Sequence, residues 1–434
     1  MSPELVGTVG LAVLVVLILV GMPIAIAFIV TSFFGLAYLN SFPAAIHVIV
    51  TAPYGTSAYF PFLAIPLFIL MGNICYYGNI SEDIYTFLHR WVGKFPGGLA
   101  MATVGACTAF GAISASSMAT SAAVGKVTYA EMRRYKYDTR LATGVIAASG
   151  GIGSMIPPSV IFILFGILAN ENIGKLFMAG ILPGICEALI YMVMIYVLAR
   201  RNPALAPRGP SFDLKHRLSA IPRVIPGAVL ALTVLGGIYG GVFTPSEAAA
   251  IGVSLAFIYA LAIGRLNREN ITSALLETGR IAAMVFFVLI GATMFNTFMA
   301  TSGLPVALSE SLVSLHFTPL ITLVLILLLY VVLGMFMDAM GMMLLTLPIF
   351  LPVYQSFEFN LIWIGVLTVR MVELGSITPP LGLHVFVVAG IAQDIRVEDI
   401  FRGVIPFALI GVVNIAILVM FPQLSLWLPA TMGK

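Results

Sequence analysis

The sequence predicts an all-α integral membrane protein built as an inverted-topology repeat, with about ten membrane-crossing helices, some broken, and two re-entrant helical hairpins. Three observations carry this. Of the 434 residues, 60% are hydrophobic and 9% charged, at a mean hydropathy of +1.08, which leaves too little polar surface to coat a soluble globule. The motif Gly-Ser-x-x-Pro-Pro occurs at 153–158 and again at 375–380, each time inside an apolar stretch long enough to cross a bilayer. Two further apolar stretches have flanks of contrasting charge.

The elements follow in order. The run 4–20 is read as a true span and not a cleaved signal, because the first basic residue of the chain is Arg90. Gly21-Met22-Pro23 breaks that run and starts a second span at 24–39. Further spans are expected at 59–78, 141–169, 176–199, 224–243, 245–264, 281–300, 364–391 and 404–427. Amphipathic segments at 79–94 and 301–316 are expected to lie along the interface as lateral arms. The stretches 97–126 and 318–352 remain, and their flanks decide how they are read. Arg90 and Lys94 precede the first, and Lys126, Arg133, Arg134, Lys136 and Arg140 follow it, so both of its ends are cytoplasmic. The second has no Lys or Arg on either flank, only Glu310 and Glu358, so both of its ends are external. One hairpin therefore dips in from each face.

Residue register supports a repeat. A shift of 222 places Pro23 on Pro245, Gly153 on Gly375 and Ser154 on Ser376; a shift of 223 places Gly111 on Gly334 and Gly180 on Gly403. The expected organisation is a first repeat over 1–199, with hairpin 97–126 and broken helix 141–169. A cytoplasmic linker over 200–223 carries Arg200, Arg201, Arg208, Lys215, Arg217 and Arg223. A second repeat then covers 224–434, with hairpin 318–352 and broken helix 364–391. Threading the spans from the linker puts both termini outside.

The broken helices suggest chemistry. Proline has no N–H, so Pro157 and Pro158 release the carbonyls of Gly153 and Ser154, and Pro379 and Pro380 release those of Gly375 and Ser376. Such carbonyls, with the hydroxyls of Ser154, Ser376 and Thr378, are hard neutral oxygens suited to Na⁺ and not to a transition metal. Beyond each proline pair a half-helix begins, offering a positive end to an anion near Pro158 and Ser159 and near Pro380 and His384. Paired breaks at membrane depth point to a carrier's binding site, the alternative being a simple kink in a packed helix.

The hairpin tips are expected to face these breaks. In Gly111–Gly125, twelve of fifteen residues are Gly, Ala, Ser or Thr, so backbones can approach closely and Ser114, Ser116 and Ser117 are candidate Na⁺ ligands. A small-residue helix interface suits the same composition. In the second tip Asp338 is an acid deep in an apolar stretch, costly by about 2.5–3.5 kcal/mol unless paired, and so a functional candidate. Arg370 and Glu373 are read as an ion pair ahead of the second break, while Glu187 has no assigned role. His384 is either an anion contact or a hydrogen-bonded core histidine.

Other classes are excluded. No His-Glu-x-x-His, Gly-x-Ser-x-Gly, Walker loop or Cys-x-x-Cys is present, so no enzyme, nucleotide-driven pump or cofactor is read. Nothing suggests nucleic-acid binding, and Cys75, Cys107 and Cys186 imply no disulfide framework. The partner of most of the surface is the lipid bilayer.

Six segments together resemble one family. They are Gly21–Ala27 (GMPIAIA), Ala64–Gly72 (AIPLFILMG), Ile156–Ser159 (IPPS), Gly334–Asp338 (GMFMD), Pro348–Pro352 (PIFLP) and Ile377–Gly382 (ITPPLG). In order and spacing they look like the large membrane subunit of the tripartite ATP-independent periplasmic (TRAP) transporters, within the ion transporter superfamily. The resemblance implies Na⁺-coupled import of a small organic anion, a carboxylate or sulfonate, across a bacterial or archaeal inner membrane. It also implies a periplasmic substrate-binding protein, a small four-helix membrane subunit that is not expected to be fused here, and an elevator mechanism. A stand-alone dicarboxylate or inorganic-anion carrier of the same superfamily is the alternative; a channel or intramembrane enzyme is a remote one. Where the family pattern has Asn, this chain has His384.

Overall fold

The computed structural model describes residues 1–432, which are helical with no strand among them. Helix α1 (Pro3–Leu19) starts on Ser2, whose hydroxyl accepts the Leu5 N–H, and stops before Gly21, at φ +94°. Helix α2 (Ile24–Leu39) follows Pro23. The sequence reading places no span over 40–58. The structure corrects this with α3 (Phe42–Ser57), capped by Ser41, with Pro43 in the first turn, where a missing N–H costs little, and with Pro53 accommodated inside. Phe42, Ile46, Val50 and Tyr54, four residues apart, are all exposed and form one apolar stripe along it.

A short 3₁₀ turn (Phe60–Leu63) leads into α4 (Ala64–Tyr77), and α5 (Ile80–Val92) has the strongly amphipathic character expected of a lateral arm. The first hairpin is α6 (Gly98–Ser114) and α7 (Ser117–Arg134), running further than the expected 126. Helices α8 (Thr139–Met155) and α9 (Val160–Ala169) are one span bent by 41° at Ile156–Ser159. Helix α10 (Ile173–Arg201) ends the first half. The linker holds one short helix, α11 (Leu214–Leu218). Ala206 and Leu205 accept the N–H groups of Gly97 and Asp138 at 3.3 and 2.9 Å, so the linker clasps the feet of both hairpin arms.

The second half runs α12 (Ile221–Tyr239), α13 (Pro245–Ala262), α14 (Arg268–Ser302), α15 (Leu304–Ser314), α16 (Pro319–Gly334), α17 (Ala339–Ser356), α18 (Leu361–Ile377), α19 (Leu383–Ile391), α20 (Val397–Met420) and α21 (Gln423–Ala430). Seven helices among the described residues are long and apolar enough to cross a bilayer, and the bent α8–α9 pair makes an eighth. This count includes α17, a hairpin arm, and leaves out α1 and α2, whose 17 and 16 residues lie at the lower limit of a crossing.

Corresponding elements recur at a nearly constant interval. From Gly98 to Pro319 (α6 to α16) is 221 residues, from Ser117 to Ala339 (α7 to α17) 222, from Thr139 to Leu361 (α8 to α18) 222, and from Val160 to Leu383 (α9 to α19) 223. Packing repeats too. Helix α6 lies on α8 and α16 on α18, while α9 crosses to α17 and α19 to α7. In both halves a pair of glycines makes the contact. A Cβ at Gly111 would stand 2.5 Å from the Cα of Gly153, and one at Gly334 would stand 2.9 Å from the Cα of Gly375.

Candidate functional site

Where the hairpin tips meet the first break, a cavity of about 60 Å³ is lined by Ser114, Ser116 and Ser117 of tip 1, Ser154, Val160 and Ile161 at the break, and Asp338, Ala339 and Met340 of tip 2. Ile69 and Asn73 of α4 and Ile281 of α14 line the remaining side. Three helices, α7, α9 and α17, therefore begin at this cavity and turn their positive ends to it.

Capping fixes each start. Ser116 accepts the Ala119 N–H at 3.3 Å, Ser159 accepts the Phe162 N–H at 3.5 Å, and Asp338 accepts the N–H groups of Met340 and Gly341 at 3.0 and 3.3 Å. Ser116 and Asp338 are 222 positions apart, so the same cap is a neutral hydroxyl in one half and a carboxylate in the other. Ala115, in the left-handed region at φ +56°, accepts the Val160 N–H at 3.5 Å and ties tip 1 to the start of α9. The Ser114 hydroxyl donates to the Ser116 carbonyl at 3.3 Å.

The sequence-derived residues divide into two groups. Ser114, Ser116, Ser117, Ser154 and Asp338 line the cavity together, with Gly153 packed behind Ser154 against Gly111 and Thr120. Pro157 and Pro158 form the buried turn into α9, and Ser159 is fully buried as its cap and does not line the cavity. The second break is elsewhere, and the released carbonyl expected at Gly375 is corrected there. The Gly375 carbonyl is not free, since it accepts the Thr378 N–H at 2.9 Å. The hydroxyls of Ser376 and Thr378 donate to the Val372 and Leu374 carbonyls of their own helix at 3.0 and 2.7 Å. Pro379 and Pro380 are exposed, and Thr378 and Pro379 line an apolar recess shared with Leu328 and Phe401. His384 is 1% exposed and lines neither this recess nor the cavity at the first break.

What holds His384 also corrects the expected Arg370–Glu373 pair. Glu373 is bonded to His384 Nε2 at 3.1 Å, and the Ser121 hydroxyl is bonded to His384 Nδ1 at 2.8 Å, a chain that joins α18, α19 and hairpin arm α7. Arg370 instead pairs with Glu187 of α10 at 2.6 Å, with the Tyr191 hydroxyl at 3.5 Å. All four charged or titratable groups are at most 2% exposed, so each needs its partner. Helical spacing along one chain could not reveal these partners, which lie on other elements. At the α19–α20 turn, Asp394 accepts from Tyr129 and pairs with Arg133 at 2.9 Å. The Tyr129 hydroxyl, with the guanidinium beside it, holds the Asp394 carboxyl below the usual carboxylate range.

Sequence reasoning also passed over Asn73. Its amide donates to Thr278 Oγ1 at 2.9 Å and it lines the cavity from α4. The signal was available, as Asn73 is a lone amide in an apolar span.

Residues 11–424 match the family described as "Tripartite ATP-independent periplasmic transporter, DctM component". The chain belongs to this family of TRAP transporter large membrane subunits. It is 32% identical over 392 residues to the C4-dicarboxylate TRAP transporter large permease protein of Pseudomonas aeruginosa, covering 90% of this chain and 91% of that one. It is 30% identical to the sialic acid TRAP transporter permease protein of Haemophilus influenzae, over 97% of this chain and 68% of that one. It is also 33% identical to the isethionate TRAP transporter permease protein of Oleidesulfovibrio alaskensis, over 90% of this chain and 61% of that one. In fold it is similar to the Alcanivorax borkumensis YdaH transporter, with a TM-score of 0.63 at 15% identity and 90% of each chain covered. It is similar too to Neisseria gonorrhoeae MtrF, with a TM-score of 0.57 at 14% identity, covering 90% of this chain and 85% of that one. As a TRAP large subunit it is a multi-pass membrane permease and not an enzyme.

Proposed function

We propose that this TRAP large subunit imports a small organic anion, a carboxylate or sulfonate, by cotransport with Na⁺ across a bacterial or archaeal inner membrane, with both termini in the periplasm. The observation that carries the reading is the convergence of three helix starts on one cavity that also holds serine hydroxyls and the Asp338 carboxylate. Helix starts favour the anion, and the carboxylate with neutral oxygens favours a hard cation. The relatives named above carry C4-dicarboxylate, sialic acid and isethionate in their names, and all three are anions. The candidate Na⁺ ligands are Ser114, Ser116, Ser117, Ser154, Asp338 and the Gly153 carbonyl.

In the same reading a periplasmic binding protein delivers the anion and a small membrane subunit completes the assembly. The hairpins and broken helices then move as an elevator against α4 and α14. The test is uptake into proteoliposomes holding the large and small subunits, with the binding protein outside and its ligand first found by thermal-shift screening of carboxylates and sulfonates. Uptake is expected to fall when choline replaces Na⁺ at fixed pH. Undiminished uptake in choline overturns the coupling, and full uptake by the large subunit alone overturns the three-part assembly.

A further inference from the structure

We infer that Lys126 forms a second anion subsite, facing the cytoplasm, on the path by which a carboxylate or sulfonate leaves the central cavity; the inference rests on the anion-carrier reading above. Beside that cavity, the crevice between hairpin arm α7 and the α4–α5 and α13–α14 turns widens to about 720 Å³. The two spaces are lined by successive turns of the same two helices. On α4, Asn73 lines the first and Tyr76 and Tyr77 the second; on α7, Ala119 lines the first and Ala123 and Lys126 the second. Ala119 and Ala123 are about one helical turn apart, ~5.4 Å. From Ser117 to Lys126 is nine residues, about 13 Å along the helix, too far for an anion of a few carbons to touch both. The subsite is therefore a separate stop on the way out.

The charges of the walls support this. Arg265 is already engaged, by Asp83 at 2.5 Å and by the Gly78 carbonyl at 3.0 Å. Lys126 is exposed to the crevice and pairs with no carboxylate among the described residues. Glu82 lines the opposite wall, so an anion in the crevice is pushed toward α7. Lys126 opens the basic run that continues through Arg133, Arg134, Lys136 and Arg140, which puts this mouth on the cytoplasmic side. An ammonium suits a transit site, because it grips carboxylate or sulfonate as a point charge without fixed bidentate geometry and lets go readily.

The test needs no knowledge of the substrate. Val127, on the same wall, is changed to cysteine in a Cys186→Ala chain, Cys75 and Cys107 being fully buried. The assembled transporter in membrane vesicles is treated with sulfonatoethyl methanethiosulfonate, itself a small organic sulfonate, and with its trimethylammonium analogue. Labelling is expected only in inside-out vesicles. A unit charge ~7 Å away in water changes the local concentration of a monovalent ion by a factor of about 2.7, so Lys126→Gln is expected to lower the sulfonate-to-ammonium rate ratio about sevenfold, and about threefold with salt screening. Lys126→Arg is expected to keep the ratio. A ratio unmoved by Lys126→Gln, or labelling from the periplasmic side, overturns the inference. If the Val127 variant does not assemble, Asn79→Cys on the facing wall gives the same readout. Labelling does not require transport, so a failed anion-carrier reading shows itself separately, as absent uptake in the proteoliposome assay.

Discussion

Replacing Gly111 by alanine challenges the contact that seats tip 1 on the first break. The added Cβ would lie 2.5 Å from the Cα of Gly153, against the ~3.5–4.0 Å at which carbon atoms rest, so α6 and α8 must part by about 1 Å. The obstacle is backbone, which cannot turn aside as a side chain can. Overpacking of this kind costs about 1–3 kcal/mol, and the movement lifts Ser114 and Ser116 away from Ser154. Alanine also gains about 1 kcal/mol over glycine in any helix interior, so a matched control is needed. Gly279→Ala on α14 supplies it, since its Cβ would meet nothing within 4 Å. In detergent, Gly111→Ala is expected to melt below Gly279→Ala and to support slower uptake in proteoliposomes. Gly334→Ala, at 2.9 Å from the Cα of Gly375, is expected to repeat the effect in smaller measure. Equal melting and equal uptake for Gly111→Ala and Gly279→Ala would refute the contact.

Three other outcomes are expected. Asp338→Asn keeps a good helix cap and its melting temperature while uptake falls, whereas Asp338→Ala also loses about 1 kcal/mol of stability; unchanged rate and Na⁺ dependence in the Asn variant would remove the carboxylate from the site. Glu187→Ala strands the buried Arg370 guanidinium and should cost about 3–5 kcal/mol by thermal melting, while the double change Glu187→Leu with Arg370→Met recovers most of it; equal losses in both variants would mean that the charge is not what matters. The Asp394 clasp has a carboxyl lowered by folding, so its contribution is present above the unfolded carboxylate pKa of about 3.9 and is lost as pH falls through the lower folded value. Hydrogen exchange of the α19–α20 turn should therefore quicken only below about pH 4 in the native chain and at every pH in Asp394→Asn; a native turn that loosens near neutral pH would contradict this.

Legibility tracked the range of the physics. Spans such as α10 and the α8–α9 break were readable because bilayer length and proline chemistry act along one stretch of chain. Helix α3 was not, since Pro43, Pro53 and Gly55 speak for a loop until packing on α2 and α14 supports the helix. At the site, Ser116 and Asp338 were found as tip residues, but their shared role as caps depends on backbone turns that composition does not specify. The partner choices of Arg370, Glu187, Glu373 and His384 were illegible for a different reason. One pair joins α18 to α10 and the other joins α18 to α19 and α7, whereas sequence proximity favoured the Arg370–Glu373 couple that the fold separates.

The two copies of Gly-Ser-x-x-Pro-Pro are therefore not chemically equivalent. The first break is fully buried and its α9 start is tied to tip 1, whereas the second satisfies its own hydroxyls and leaves Pro379 and Pro380 exposed. The negative charge at the cavity comes instead from Asp338, standing where its repeat counterpart is Ser116. That single difference bears on coupling. On the proposed reading, a substrate carboxylate or sulfonate entering a cavity of about 60 Å³ comes close to the Asp338 carboxylate, and the partial charges of helix starts, roughly half a unit each, do not fully offset two like anions. A cation between them removes the repulsion. On the proposed reading, Na⁺ is then a condition of anion binding, so anion affinity should depend on Na⁺ steeply in the native chain and weakly in Asp338→Asn.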